Sequence, residues 1–99
     1  ASAYRLEIPV VAHAGDGNTH PIVVFDPHDP DARARAGEAF DAIMAAAIAL
    51  GGTITGEHGV GRAKKRALPA QLGPEVMGLS RTIKQALDPQ GILNPGAIL

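Results

Sequence analysis

The sequence predicts an α+β fold: a small, mainly antiparallel sheet with helices on one face, in the order strand, strand, helix, strand, helix. Three observations carry this prediction. Alternating or β-branched runs lie at residues 4–12, 22–25 and 53–55. A long alanine-rich stretch between the second and third runs has helical spacing. A second apolar rhythm of threes and fours occupies residues 74–87. Glycine, proline, asparagine and aspartate separate these stretches, as turns require.

Each element has its own reason. Leu6, Ile8 and Val10 alternate with Glu7 and Pro9, so residues 4–12 read as a strand with one apolar face. Pro9 removes a ladder donor, which places it at an edge or a bulge. Gly15-Asp16-Gly17-Asn18 is a turn signal, and Ile22-Val23-Val24-Phe25 reads as the returning strand of a hairpin. Asp26-Pro27-His28-Asp29-Pro30 breaks the chain, and Asp29 or Asp31 is suited to cap the helix that follows over about 31–50. Its expected inward face is Ala36, Phe40, Ile43, Ala47 and Leu50. Gly51-Gly52 ends it. Thr53-Ile54-Thr55 is the expected third strand. Arg62–Ala67 reads as a helical turn, Pro69 and Pro74 bracket a loop, and a helix over about 74–87 presents Val76, Leu79, Ile83 and Leu87 on one face. Asp88-Pro89-Gln90-Gly91 stops that helix, and Asn94-Pro95-Gly96 turns the tail.

Composition narrows the function. Ninety-nine residues make at most one domain, and 45% apolar content suits a globular chain. Only Tyr4, Phe25 and Phe40 are aromatic, so the core must come from Ala, Val, Ile and Leu. The net charge of −1 with interspersed signs lacks the basic stripe of a nucleic-acid binder. With no cysteine there is no disulfide framework and no thiolate metal site. No apolar run approaches the ~20 residues of a membrane-spanning helix. A strand-like start and a turn-bearing end are what a piece of a longer polypeptide would show.

The chemistry-bearing residues concentrate in two glycine-rich stretches, His13–His20 and Gly56–Gly61. In a hairpin, His13 and His20 flank the tip from opposite strands, where facing residues lie roughly 5 Å apart at Cα. Two imidazoles and a carboxylate form a common shell for divalent zinc, manganese or iron, and three protein ligands leave a position open for substrate. His13, His20 and Glu57 are the candidate metal ligands. His58 is the candidate proton acceptor, because histidine titrates near neutrality. Adjacent side chains on an extended segment point opposite ways, so using both Glu57 and His58 requires a bend. The competing reading is that both hairpin histidines only stabilise a turn. Asp16 and Asn18 read as loop-shaping residues, and a phosphate-cradling loop is disfavoured by the spacing. His28 reads as solvated. Arg62, Lys64, Lys65 and Arg66 read as a solvated face, with capture of a substrate carboxylate or cofactor phosphate as the alternative.

HAGDGNTHP, GEHGVGRAKK and LDPQGILNPG, in that order and spacing, resemble the C-terminal domain of the FAD-linked oxidases, the glycolate oxidase type most closely. That family includes D-lactate dehydrogenases and D-2-hydroxyglutarate dehydrogenase. The resemblance covers residues 4–99. It implies that His13, His20 and Glu57 match the metal ligands, that His58 matches the general base, and that Asn94 lies in a terminal motif near the flavin. It implies FAD and a divalent metal as cofactors, and oxidation of a 2-hydroxy acid to a 2-oxo acid. Ile22 stands where some members have a substrate-contacting asparagine, which argues against the hydroxyglutarate type. Ala97 stands where the terminal motif often has lysine.

The resemblance also implies that residues 1–99 are the last portion of a substrate and metal domain with a partial ferredoxin-like fold, and that the FAD-binding domain is absent. The expected partners are a small 2-hydroxy acid, the missing FAD domain and other oxidase subunits, with no nucleic acid. The chain alone is expected to be inactive, to self-associate through uncovered apolar surface, and to work in the cytoplasm or in a complex at the membrane periphery. Two other classes compete: a non-redox metal-dependent hydrolase, and a non-catalytic fragment that only packs against a partner.

Overall fold

A computed structural model describes residues Ala1–Leu99. The fold is α+β, with a two-stranded antiparallel sheet and two helices. The chain forms two compact units, Ala1–Ala46 and Ala47–Leu99.

The first unit begins with a 3-10 turn at Ser2–Tyr4, closed by Arg5 in the left-handed region. The hairpin follows, with β1 at Val10–His13 and β2 at Asn18–Pro21. Its pairs are Val10 with Pro21, Val11 with His20, Ala12 with Thr19, and His13 with Asn18. The first strand is shorter than its sequence pattern, and the returning strand is shifted toward the tip. The ladder is strongest at the polar tip rather than at Ile22–Phe25. Pro9 is the physical reason, because it lacks the N–H that would carry the ladder through. Beyond it the pairing persists only as a Glu7–Val24 bridge, with the Pro9 carbonyl accepting from the Ile22 N–H at 2.8 Å.

Helix α1 spans Pro30–Ala49. Asp29 caps it: Oδ1 accepts from the Asp31 N–H at 2.9 Å and the Ala32 N–H at 3.1 Å. The buried residues are Ala32, Ala36, Ala39 and Met44. The buried stripe is therefore rotated from the expected one. Ala36 is shared; Phe40, Ile43 and Ala47 are half-buried; Leu50 is 88% exposed. Three of the four buried residues of this helix are alanines. The helix ends as expected, with Gly51 at φ 77° and two closing bonds, Gly51 N–H to the Ile48 carbonyl and Gly52 N–H to the Ala47 carbonyl, each 2.9 Å.

In the second unit the expected third strand is not formed. Ile54 is buried, but its N–H donates to the Gln71 Oε1 at 2.7 Å instead of to a neighbouring strand. The Thr53 hydroxyl donates to the Thr55 carbonyl at 2.7 Å. Such local side-chain bonds offer the backbone an alternative to a ladder. Helix α2 spans Leu68–Leu87 and is broken at Gly73, whose φ of 75° and ψ of 169° are not helical. Pro74 forces that break, because a proline disfavours helical backbone in the residue before it. The expected helix thus starts where the sequence indicates, while the expected loop between Pro69 and Pro74 is largely a short helical segment. Leu68 and Met77 are buried. Val76, Leu79, Ile83 and Leu87, the apolar face read from the sequence, are all exposed. No helix is long and apolar enough to cross a membrane.

Candidate metal centre and proton-transfer loop

The hairpin tip is built locally. The His13 carbonyl accepts from the Asp16 N–H at 3.2 Å and the Gly17 N–H at 3.1 Å. Gly17 sits at φ 75°, a conformation that suits glycine. Asp16 Oδ1 accepts from the Asn18 N–H at 2.8 Å, the loop-shaping role expected of it.

In this register His13 faces Asn18, and His20 lies two residues further along β2. The two histidines are therefore diagonal neighbours on one face of the hairpin rather than a directly facing pair. Their rings meet edge to face, with centroids 5.3 Å apart and planes at 86°. His13 is exposed and His20 half-buried. This places two nitrogen donors of borderline softness side by side, a donor chemistry that suits a divalent transition metal.

Glu57 and His58 lie in the second unit on a bent loop between Thr55 and Val60. The His58 Nε2 is 3.4 Å from the Glu57 Oε1. Side chains of consecutive residues meet only where the backbone bends, and the bend expected from the sequence is there. The His58 side chain is 71% exposed and that of Glu57 50%, so both are open to a ligand. Gly59 at φ 75° and Gly61 at φ 54° carry the loop out of the bend.

Two of the four basic residues after this loop, Arg62 and Lys65, bind backbone carbonyls of the tail. The Arg62 guanidinium donates to the Pro95 carbonyl at 2.8 Å. The Lys65 ammonium donates to the Gly96 carbonyl at 3.3 Å and the Leu99 carbonyl at 2.6 Å. The Ile98 N–H donates to the Gly61 carbonyl at 2.8 Å. Spacing alone could not assign these contacts, because the acceptors are more than thirty positions away.

Asp88 is a further structural centre that the sequence marked only as a helix stop. It is buried and accepts from the Ile92 and Leu93 N–H groups, each at 3.0 Å, and from the Lys84 ammonium. Lys84 also donates to the Leu93 carbonyl at 2.7 Å. The Lys84 hydrogen bond, helped by the two backbone donors, holds the Asp88 carboxyl below the ordinary aspartate range, against the opposing effect of burial. Asn94, in the turn beyond, has φ 47°, and its carbonyl accepts from the Ala97 N–H at 3.3 Å.

The family described as FAD linked oxidases, C-terminal domain, matches residues 1–98, and the chain belongs to it. Among its relatives, the glycolate oxidase subunit GlcD of Escherichia coli K12 is 43% identical over 93 residues, covering 94% of this chain and 19% of the relative. The glycolate oxidase subunit GlcD of Bacillus subtilis is 46% identical over 96 residues, covering 97% and 20%. The mitochondrial D-lactate dehydrogenase [cytochrome] of Arabidopsis thaliana is 42% identical over 97 residues, covering 98% and 17%. The chain thus spans about a fifth of the length of the curated relatives it matches.

Proposed function

We propose that this chain supplies the metal ligands and the general base of a flavin-dependent oxidoreductase that converts a 2-hydroxy acid of the glycolate or D-lactate type to the 2-oxo acid. One observation carries the reading: the edge-to-face pairing of His13 and His20 at the tip of the hairpin. Two imidazoles and one carboxylate fit a divalent metal such as zinc, manganese or iron, and the donors proposed are His13, His20 and Glu57. When bound, the metal supplies Lewis acidity toward the substrate hydroxyl and carboxylate, and FAD supplies the two-electron acceptor. His58, exposed on its bent loop, takes the hydroxyl proton at an imidazole nitrogen, and Glu57 beside it orients the ring. The names of the glycolate oxidase and D-lactate dehydrogenase relatives support the substrate class. The flavin-bearing portion is proposed to lie in polypeptide beyond these residues, and Asn94 to lie near the flavin.

Calorimetric titration of the chain with Zn²⁺ or Mn²⁺ tests the donor set. Binding at one equivalent is expected in the wild type, with at least a tenfold loss in His13→Ala, His20→Ala and Glu57→Ala and none in His58→Gln. The chemistry is tested by grafting the chain in place of the matching segment of the E. coli glycolate oxidase subunit. Oxidation of glycolate or D-lactate by a dye-coupled assay is expected, and His58→Gln should slow it ~10²–10⁴-fold. Unchanged turnover in His58→Gln would remove the base assignment. Ester hydrolysis without flavin would point to a metal hydrolase instead.

A further inference from the structure

We infer that Arg62 and Lys65 are positioning residues: by gripping the tail Pro95–Leu99 they hold the Glu57–His58 loop in its bent, ligand-facing form. The inference rests on the reading of Glu57 and His58 given above, and deepens it by naming what fixes them. Both residues of the pair lie on a loop with no ladder of its own, half or more exposed. Gln71 Oε1 holds its entry by accepting from the Ile54 N–H at 2.7 Å, and the tail holds its exit. The Gly61 carbonyl, three residues after His58, accepts from the Ile98 N–H at 2.8 Å. The next residue, Arg62, reaches the Pro95 carbonyl, and Lys65 reaches those of Gly96 and Leu99.

The tail is shaped for this grip. Asn94, Gly96 and Ile98 all have positive φ, at 47°, 80° and 62°. Alternating left-handed residues curl the segment so that the carbonyls of Pro95, Gly96 and Leu99 face two cations. For a β-branched residue such as Ile98 this conformation is an outlier, kept only where surrounding bonds impose it. Its own N–H bond to Gly61 is one of them. At its base the curl is anchored by Asp88 and Lys84, which bind the backbone of Ile92 and Leu93. The terminal motif therefore receives its cations from Arg62 and Lys65, although Ala97 offers none itself.

The test is NMR on the ¹⁵N-labelled chain. In the Arg62→Ala/Lys65→Ala double variant, hydrogen-exchange protection of the Ile98 amide should fall at least tenfold. The His58 ring resonances should shift or broaden. Arg62→Lys/Lys65→Arg should restore both signals. Loss of Ile98 protection with an unchanged His58 ring would overturn the inference, as would unchanged Ile98 protection. If the double variant fails to fold, relaxation measurements on the wild type decide. Order parameters near 0.85 for the Glu57–Gly61 amides support the clasp, and values below ~0.6 overturn it. None of these readouts involves turnover. Failure of the general-base assignment would appear instead as full activity in His58→Gln, with the clasp signals intact.

Discussion

The two histidine-bearing stretches are held in opposite ways. The hairpin tip is fixed by bonds within the single stretch Val10–Pro21: the β1–β2 ladder, the turn closed on the His13 carbonyl, and the Asp16 side chain on Asn18. The Glu57–His58 loop has no ladder. Its entry is fixed by Gln71 on the Ile54 N–H, and its exit by contacts from Gly61, Arg62 and Lys65 to a tail more than thirty residues away. The first arrangement forms from neighbours in sequence. The second waits for long-range closure, so it is the more easily lost.

The largest expected effect breaks the second region alone. Ile54→Ala empties a buried position just before the loop and should cost about 2–4 kcal/mol in urea unfolding of the second unit. The hairpin amides should exchange as in the wild type. Equal loss of protection in both would erase the contrast.

Acid should act on the same region. Asp88 titrates below its ordinary value of about 3.9, so the folded chain binds fewer protons there than the unfolded chain. Its stabilising contribution is complete above that ordinary value and is lost as the pH falls through the lower, folded one. Thermal melts from pH 6 to pH 2.5 should show a decline below about pH 4 that Asp88→Asn flattens. A wild-type melting temperature constant across that range would contradict it.

The hairpin is broken by a local change. Gly17→Ala places a side chain at φ 75° and should cost about 1–2 kcal/mol. The His13–His20 ring contact should weaken in nuclear Overhauser spectra. Smallest is the helix cap. Asp29→Ala removes the acceptor for two N–H groups and should cost about 1 kcal/mol by thermal denaturation followed by circular dichroism.

Much of the fold was legible because its causes are local. Gly15–Asn18 marked the hairpin, Asp29 the start of α1, Gly51-Gly52 its end, and Pro74 the start of the main segment of α2. The misreadings share one cause. Thr53–Thr55 had the composition of a strand, but a strand also needs an edge to pair with, and Gln71 took the donor instead. Val76, Leu79, Ile83 and Leu87 kept helical period, but period says that a face is apolar and not what covers it; here that face is exposed. It is also the surface on which the proposed self-association would rest, and a monomer in sedimentation at micromolar concentration would count against that.

By itself, then, the sequence determined the class of fold, the candidate site residues and the hairpin that brings His13 and His20 to one face. Each of these follows from patterns a few residues long. Only the tertiary structure decided that Arg62 and Lys65 bind the tail, that Asp88 is buried and bound to the backbone of Ile92 and Leu93, and which alanines of α1 are buried. Those outcomes depend on which distant backbone groups come within hydrogen-bonding or packing distance. A linear pattern of charge and apolarity does not encode that proximity.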